Sequence, residues 1–100
     1  MGFVKIASKN DIKNGEGKTL SANGHEIALF NVDGQFFAID NTCAHRGGPL
    51  GEGMLEGNVV TCPFHGWKFN VQNGSSVMPP GVKVKSFPVK IEGDDIIVEV

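Results

Sequence analysis

The sequence predicts an all-β protein, folded as an antiparallel sandwich or a partly open barrel. Apolar residues alternate with polar ones over most of the chain, which is typical of strands with one buried face. Glycine is frequent, at 14 of 100 residues, and Asn-Gly or Asp-Gly pairs separate several of the alternating segments. Because these pairs readily form tight hairpin turns, the pattern indicates roughly eight to ten short strands.

The first forty residues predict one strand followed by a three-stranded meander. Residues 3–7 alternate as a strand, and the segment that follows, up to Gly17, has room for one helical turn. The meander consists of strands at 18–22, 26–32 and 35–40, joined by tight turns at Asn23-Gly24 and Asp33-Gly34.

The middle of the chain has no period. Residues 41–53 are rich in Gly, Pro and polar residues, which predicts a loop, and residues 62–66 form a second irregular loop after a strand at 58–61. Further elements are predicted as strands at 67–70, 87–92 and 95–100, a turn at Asn73-Gly74, an irregular segment at 78–81 and a hairpin turn at Gly93-Asp94.

Composition and charge exclude several classes of function. The formal net charge of −2 includes no basic block that would indicate a nucleic-acid partner. The longest apolar runs are too short to span a membrane, and the first residues lack the pattern of a signal peptide. We therefore expect one domain over residues 1–100, soluble, cytoplasmic and monomeric, that binds neither nucleic acid nor a membrane.

Two Cys/His pairs lie in the irregular loops. Cys43 and His45 form one pair, Cys62 and His65 form the other, and together they include both cysteines and two of the three histidines of the chain. Thiolate and imidazole side chains indicate a metal centre of mixed ligation. Since each loop offers one Cys and one His, a two-metal cluster is favoured over a structural zinc site, whose knuckles usually contain Cys-x-x-Cys pairs. A buried thiol pair or a disulfide with incidental histidines is the third interpretation.

The spacing Cys-x-His, followed later by Cys-x-x-His, resembles the signature of Rieske iron–sulfur proteins. Residues 43–48 (CAHRGG) and 62–67 (CPFHGW) are similar to the two cluster loops of that family. The resemblance implies a Rieske-like domain with a two-loop cluster-binding subdomain, its loops at about 41–53 and 62–66. It also implies one [2Fe–2S] cluster, with Cys43 and Cys62 on the inner iron and His45 and His65 on the outer iron.

Two departures from the high-potential Rieske proteins indicate which relatives this sequence resembles. Rieske proteins of respiratory bc-type complexes carry a disulfide-bonded Cys pair where this sequence has Gly48 and Phe64. They also place hydroxyl groups where this sequence has Trp67 and Phe69. Fewer hydrogen bonds to the cluster sulfurs predict a low reduction potential. In these respects the sequence resembles the soluble ferredoxins of aromatic-ring dioxygenase systems.

That resemblance implies an electron carrier, itself not an enzyme, between a flavin-dependent reductase and a terminal oxygenase. The oxygenases contain a further mononuclear iron site with two histidines and a carboxylate, and here only His25 remains after the cluster. The small Rieske subunit of assimilatory nitrite reductase is similar in size and stays open as an alternative.

Glycines and prolines near the proposed ligands have expected roles of their own. Gly47, Gly48 and Gly66 are expected to allow the backbone to approach the cluster closely. The segment 78–81 (MPPG) resembles the proline-rich third loop that covers Rieske clusters.

Overall fold

The computed structural model describes residues 2–43, 48–64, 66–78 and 81–100, and it confirms the all-β class. These residues contain eleven strands, all paired antiparallel, and two 3₁₀ turns at Lys9–Asp11 and Leu50–Glu52. In chain order the strands are β1 (Phe3–Ser8), β2 (Gly17–Ala22), β3 (His25–Val32), β4 (Gln35–Asp40), β5 (Met54–Glu56), β6 (Val59–Thr61), β7 (Lys68–Asn70), β8 (Ser76–Met78), β9 (Ser86–Phe87), β10 (Val89–Glu92) and β11 (Asp95–Glu99). Within the described part of the chain, no helix is long and apolar enough to cross a lipid bilayer.

The strands form three sheets. The first sheet has the order β1-β11-β10, the second has the order β2-β3-β4-β9, and the third has the order β5-β6-β7-β8. The first hydrophobic core contains residues of the first and second sheets, and the second core contains residues of the second and third sheets. The second sheet is therefore shared by both cores.

Strand β3 shows how this sharing is encoded. Ile27 and Leu29 belong to the first core, whereas Ala28 and Phe30 belong to the second core, and all four side chains are fully buried. Successive side chains of a strand point to opposite faces of a sheet. Because both faces are covered, β3 needs an unbroken apolar run instead of the alternation seen in the outer strands.

The third sheet is an insertion between two neighbouring strands of the second sheet. Strands β4 and β9 pair through Ala38 with Phe87 and Ile39 with Ser86. At the end of this pair the backbone N–H of Asp40 donates a hydrogen bond to the carbonyl oxygen of Lys85, at 2.8 Å. The chain therefore leaves and re-enters the second sheet at one point, and both irregular loops lie in the inserted segment.

The hairpin turns of the meander are confirmed. Asn23 and Gly24 have φ angles of 50° and 80°, and Asp33 and Gly34 have φ angles of 52° and 87°. Two successive positive φ angles are typical of a type I′ turn, whose twist matches that of the flanking strands.

Four details differ from the sequence prediction. Strands β5 and β8 were not predicted, because their sequences MLE and SVM have neither the β-branched run of β6 (VVT) nor the polar-apolar alternation of β7 (KFN). The predicted loop at 41–53 contains the 3₁₀ turn Leu50–Glu52. The predicted strand at 87–92 is two strands in different sheets, since Pro88 has no N–H to continue the first ladder. Met78, placed in an irregular segment, ends β8, while Pro79 and Pro80 lie outside the described residues.

Candidate metal centre

The first Cys-containing loop begins directly after β4. Thr42 and Pro49 form an isolated antiparallel bridge, and the backbone N–H of Cys43 donates to the carbonyl oxygen of Gly48 at 2.9 Å. These contacts join the residues on either side of segment 44–47 and fix the backbone of Cys43. The Cys43 side chain is buried in the second core.

The second loop follows β6 and is closed by its own backbone. The N–H of Cys62 donates to the carbonyl oxygen of Trp67 at 2.7 Å, and the N–H of Gly66 donates to the carbonyl oxygen of Cys62 at 3.2 Å. The Cys62 side chain is buried, whereas Phe64 beside it is 54% exposed. The loop thus directs its thiol inward and leaves an aromatic ring at the surface.

The two thiols meet in the second core. Both cysteines are free, and their side chains are within hydrogen-bonding contact. Burial raises the pKa of the Cys62 thiol above its ordinary value, and the neighbouring Cys43 raises it further, while a hydrogen bond with the backbone of Phe64 acts in the opposite direction. Without a counter-charge, two adjacent thiolates would be unfavourable at this position.

A bound metal group fits this donor set. Thiolates are the metal-binding form of Cys, and a metal cation supplies the positive charge that stabilises them in a buried site. The structure contains the two cysteines as free thiols that face each other, which disagrees with the interpretation as a disulfide. The pair therefore offers two soft sulfur donors in a buried place.

Gly48 is crowded by the second loop. A Cβ atom built on Gly48 would lie 2.7 Å from the Sγ atom of Cys62 and 3.2 Å from the Cβ atom of Phe64. The backbone at Gly48 therefore comes close to the Cys62 sulfur, while its expected approach to the cluster stays a prediction. Gly66 has a φ angle of 76° with open space around it, which indicates a turn.

The remaining predicted residues are distributed as follows. His45, Gly47 and His65 lie outside the described residues, so their place at the centre stays a prediction. Phe69 is fully buried in the same core as the two cysteines, and Trp67 packs against that core. His25 begins β3, is exposed, and has its ring centroid 5.9 Å from that of Phe87 in the first core.

Sequence reasoning missed Asn41, a buried polar residue between β4 and Cys43. Its side-chain oxygen accepts hydrogen bonds from the hydroxyl of Thr19 and the backbone N–H of Gly51. An Asn after a strand is common in turns, so nothing in the sequence separates this residue from an ordinary turn former.

A comparison with known protein families assigns the chain to one of them. The profile described as "Rieske [2Fe-2S] domain" matches residues 2–88. The chain belongs to this family.

Relatives of this Rieske protein include ferredoxins of ring-oxidising systems. It is 40% identical over 101 residues to the biphenyl dioxygenase ferredoxin subunit of Pseudomonas sp. (strain KKS102), and the match covers 99% of this chain and 93% of that relative. It is 33% identical to a chain in the solved complex of reduced oxygenase and oxidized ferredoxin in carbazole 1,9a-dioxygenase, with a TM-score of 0.89 and coverage of 96% and 91%. A nitrite reductase small subunit from Mycobacterium tuberculosis, 23% identical, has a TM-score of 0.90 with coverage of 97% and 93%, which shows the shared fold.

Family membership identifies the metal group that the protein carries. The cofactor of this Rieske protein is a [2Fe–2S] cluster, and a structural zinc site is excluded. The protein is an electron carrier and is not itself a catalytic enzyme, as its ferredoxin relatives indicate.

Proposed function

We propose that this Rieske protein is the ferredoxin component of a multicomponent oxygenase system. It takes one electron from a flavin-dependent reductase and passes that electron to a terminal oxygenase. The observation that supports this function is the nearly end-to-end similarity, at 40% identity, to a ferredoxin subunit of biphenyl dioxygenase. The alternative, a nitrite reductase small subunit, has support from the shared fold at lower identity.

Four side chains hold the cluster in this proposal. Cys43 and Cys62 bind the inner iron, and His45 and His65 bind the outer iron. The burial and mutual contact of the two thiols support the first pair. Exposure of Phe64 and Gly66, the residues on either side of His65, supports an outward position for His65.

The surroundings of the two loops suit electron transfer at a surface. When bound, the cluster supplies reversible one-electron chemistry. Leu50, Val60 and Phe69 are fully buried in the core that contains both thiols, so they exclude water from the inner side. The exposed surface at Pro63 and Phe64 lets a partner protein come close to the outer iron. In this proposal the electron leaves through His45 and His65, which bind that iron.

The organisation of the protein is part of the same proposal. Residues 1–100 form a single Rieske domain with its cluster-binding loops at about 41–53 and 62–66, and the protein is a monomer in the cytoplasm. Free buried thiols that bind iron are suited to a reducing compartment. Size-exclusion chromatography with light scattering measures the mass in solution; a dimer would contradict the monomer.

Electron transfer to an oxygenase tests the function directly. The holoprotein is reduced with dithionite under anaerobic conditions, freed of excess dithionite by gel filtration, and mixed with the oxidised terminal oxygenase of a biphenyl or carbazole dioxygenase. Rapid-freeze EPR then follows the reduced cluster of each protein. We expect rapid reoxidation of this protein and matching reduction of the oxygenase. Rapid transfer to an assimilatory nitrite reductase, with none to either oxygenase, would replace the proposed function by the alternative.

Metal analysis and ligand variants test the site separately. The purified protein should contain iron and acid-labile sulfide in equal amounts, without zinc. His65→Ala and His45→Ala should lose the Rieske-type EPR signal of the reduced cluster, while His25→Ala serves as a control that keeps it. An unchanged signal in His65→Ala would remove that residue from the ligand set.

A further inference from the structure

Asn41 connects the first ligand loop to the body of the protein through its side chain. The residue is only 7% exposed, and its Oδ1 atom accepts two hydrogen bonds. One comes from the Thr19 hydroxyl in β2 at 3.0 Å, and the other comes from the backbone N–H of Gly51 at 2.7 Å. A single oxygen atom therefore links a strand of the second sheet to the residues where the ligand loop returns.

The backbone of Asn41 also joins the second sheet to the residues where the ligand loop returns. Its N–H donates to the carbonyl oxygen of Glu26 in β3 at 3.0 Å, and its carbonyl oxygen accepts from the N–H of Leu50 at 2.7 Å. The bridge between Thr42 and Pro49 follows directly. Both sides of the loop that carries Cys43 are thus anchored at Asn41.

Close packing leaves this anchor little freedom. A Cβ atom built on Gly51 would lie 2.5 Å from the Oγ1 atom of Thr19 and 2.9 Å from the Thr19 backbone nitrogen. The return side of the loop therefore lies directly against β2. Without the acceptor at Asn41, the N–H of Gly51 and the hydroxyl of Thr19 would both lose their partner in a buried place.

We propose that Asn41 is a positioning residue for the cluster, which it serves by fixing where the thiol of Cys43 stands relative to that of Cys62. The inference rests on the proposed assignment of Cys43 as a ligand. Asn41 acts on the thiols through a chain of contacts. Its side chain and backbone hold Gly51 and Leu50, the hydrogen bond between Cys43 and Gly48 closes the loop, and Cys43 contacts Cys62. Asn41 itself need not touch the cluster.

The main test compares two buried asparagines in the holoprotein. Asn41→Leu keeps the size of the side chain and removes the acceptor. We expect shifted g values in the EPR spectrum of the reduced cluster, a changed reduction potential and about tenfold faster loss of iron to a chelator. Tenfold corresponds to about 1.4 kcal/mol, within the range for leaving a buried donor unpaired.

Asn31 provides the matched control. It is also 7% exposed, and its amide likewise makes two hydrogen bonds, donating to the carbonyl oxygen of Ile12 at 2.9 Å and accepting from the N–H of Gly34 at 2.8 Å. It lies toward the far end of β3 from Glu26. Asn31→Leu should lower the stability of the protein but leave the g values and the potential unchanged.

A milder pair of variants decides the question if Asn41→Leu does not fold. Thr19→Val removes one of the two donors, and Thr19→Ser retains the hydroxyl. We expect Thr19→Val to shift the g values and the reduction potential in the same direction as Asn41→Leu. Thr19→Ser should keep the wild-type g values and reduction potential. Unchanged values in Thr19→Val, or equal shifts in Asn31→Leu, would overturn the proposal. Neither measurement needs a redox partner, so the result is independent of the electron-transfer test above.

Discussion

At the scale of single residues, the sulfur of Cys62 is enclosed from several directions. Cys43 contacts its thiol, the backbone of Phe64 hydrogen-bonds to it, and the Cα atom of Gly48 leaves no room for a side chain beside it. A small change in any of these neighbours therefore acts directly on a proposed ligand.

Gly48→Ala should disturb the second ligand loop. The added methyl group would lie 2.7 Å from the Cys62 sulfur, so either the sulfur or the first loop has to move. We expect a lower ratio of iron to protein after purification and a broadened or shifted EPR signal. Gly2→Ala is the control, since no atom lies within 4 Å of its added Cβ. Full iron content with an unchanged spectrum in Gly48→Ala would show that the loop adapts without cost.

Phe69→Tyr should raise the reduction potential. Phe69 is fully buried in the core that contains both cysteines, and a new hydroxyl there would seek an acceptor, of which a cluster-bound sulfur is one. If the hydrogen bond is about 1 kcal/mol stronger in the reduced state, the potential rises by roughly 40 mV. Protein-film voltammetry measures the shift, and Phe37→Tyr, at a half-buried position beside the same core, is the control. A potential equal to or below that of the wild type would contradict the prediction.

The raised pKa of Cys62 predicts how the iron-free, reduced protein responds to pH. Above about pH 8.5 an unfolded chain loses its thiol protons, whereas buried Cys62 keeps its proton to higher pH. The unfolded state then binds fewer protons than the folded state, so the free energy of unfolding falls as pH rises. Denaturant titrations at several pH values should show this fall, and Cys62→Ser should weaken it. An identical pH slope in both proteins would refute the explanation.

At the scale of elements, the inserted third sheet depends on tight turns that pack against other segments. Gly74 has a φ angle of 79°, and a Cβ atom built on it would lie 2.1 Å from the carbonyl oxygen of Val84. Val84 in turn donates its N–H to the carbonyl oxygen of Gly74 at 2.9 Å. This turn therefore holds the segment that leads into β9 against the end of β7.

Gly74→Ala should lower the free energy of unfolding by about 2 kcal/mol or more, because strain at a positive φ angle adds to a collision with backbone. Gly57→Ala is the matched control: Gly57 has a φ angle of 60° with no atom within 4 Å of its added Cβ, so it carries the strain alone. Its cost should be about 1 kcal/mol. Chemical denaturation measures both, and equal costs would mean that crowding at Val84 has no effect.

The elements differ in how far the sequence predicted them. The meander was predicted within one residue at each end, because Asn23-Gly24 and Asp33-Gly34 adopt the positive φ angles that tight hairpins need. The edge strands β5 and β8 were missed, because their residues show neither a β-branched run nor alternation, and they form strands by pairing with β6 and β7. The boundary between β9 and β10 at Pro88 was also missed, because the residues around it alternate as one continuous strand would.

In the candidate site, too, local motifs were predicted from the sequence, whereas contacts between residues distant in sequence were not. The Cys43 and Cys62 motifs are local, and their residue types alone indicate a metal. The anchor at Asn41 depends on Thr19 and Gly51, which are distant in sequence, so it becomes visible only once β2 and the loop are side by side.

At the scale of the whole molecule, the composition of the cluster core predicts the redox range. Rieske centres span roughly −150 to +300 mV. The core around the thiols contains Phe69 where high-potential relatives carry a hydroxyl, and Gly48 and Phe64 occupy the positions of their disulfide. The wild-type protein should therefore titrate in the lower part of the range, as measured by voltammetry. A potential near the upper end would show that other donors, such as backbone N–H groups, dominate.

The insertion of the third sheet between β4 and β9 makes the redox part of the molecule an interchangeable module. In topological terms, everything from residue 41 to residue 85 is the connection of one β-hairpin, entered and left at the hydrogen bond between Asp40 and Lys85. Exchange of this segment between relatives needs two splice points, whose bonded atoms, the Asp40 nitrogen and the Lys85 oxygen, are 2.8 Å apart. A donor segment must match the faces of β3 and β4 that support it, with Ala28, Phe30 and Ile39. It must also match Thr19 of β2, which contacts Asn41 and Gly51. We expect a segment exchanged in this way to bring its own reduction potential, while the remaining strands keep their sequence.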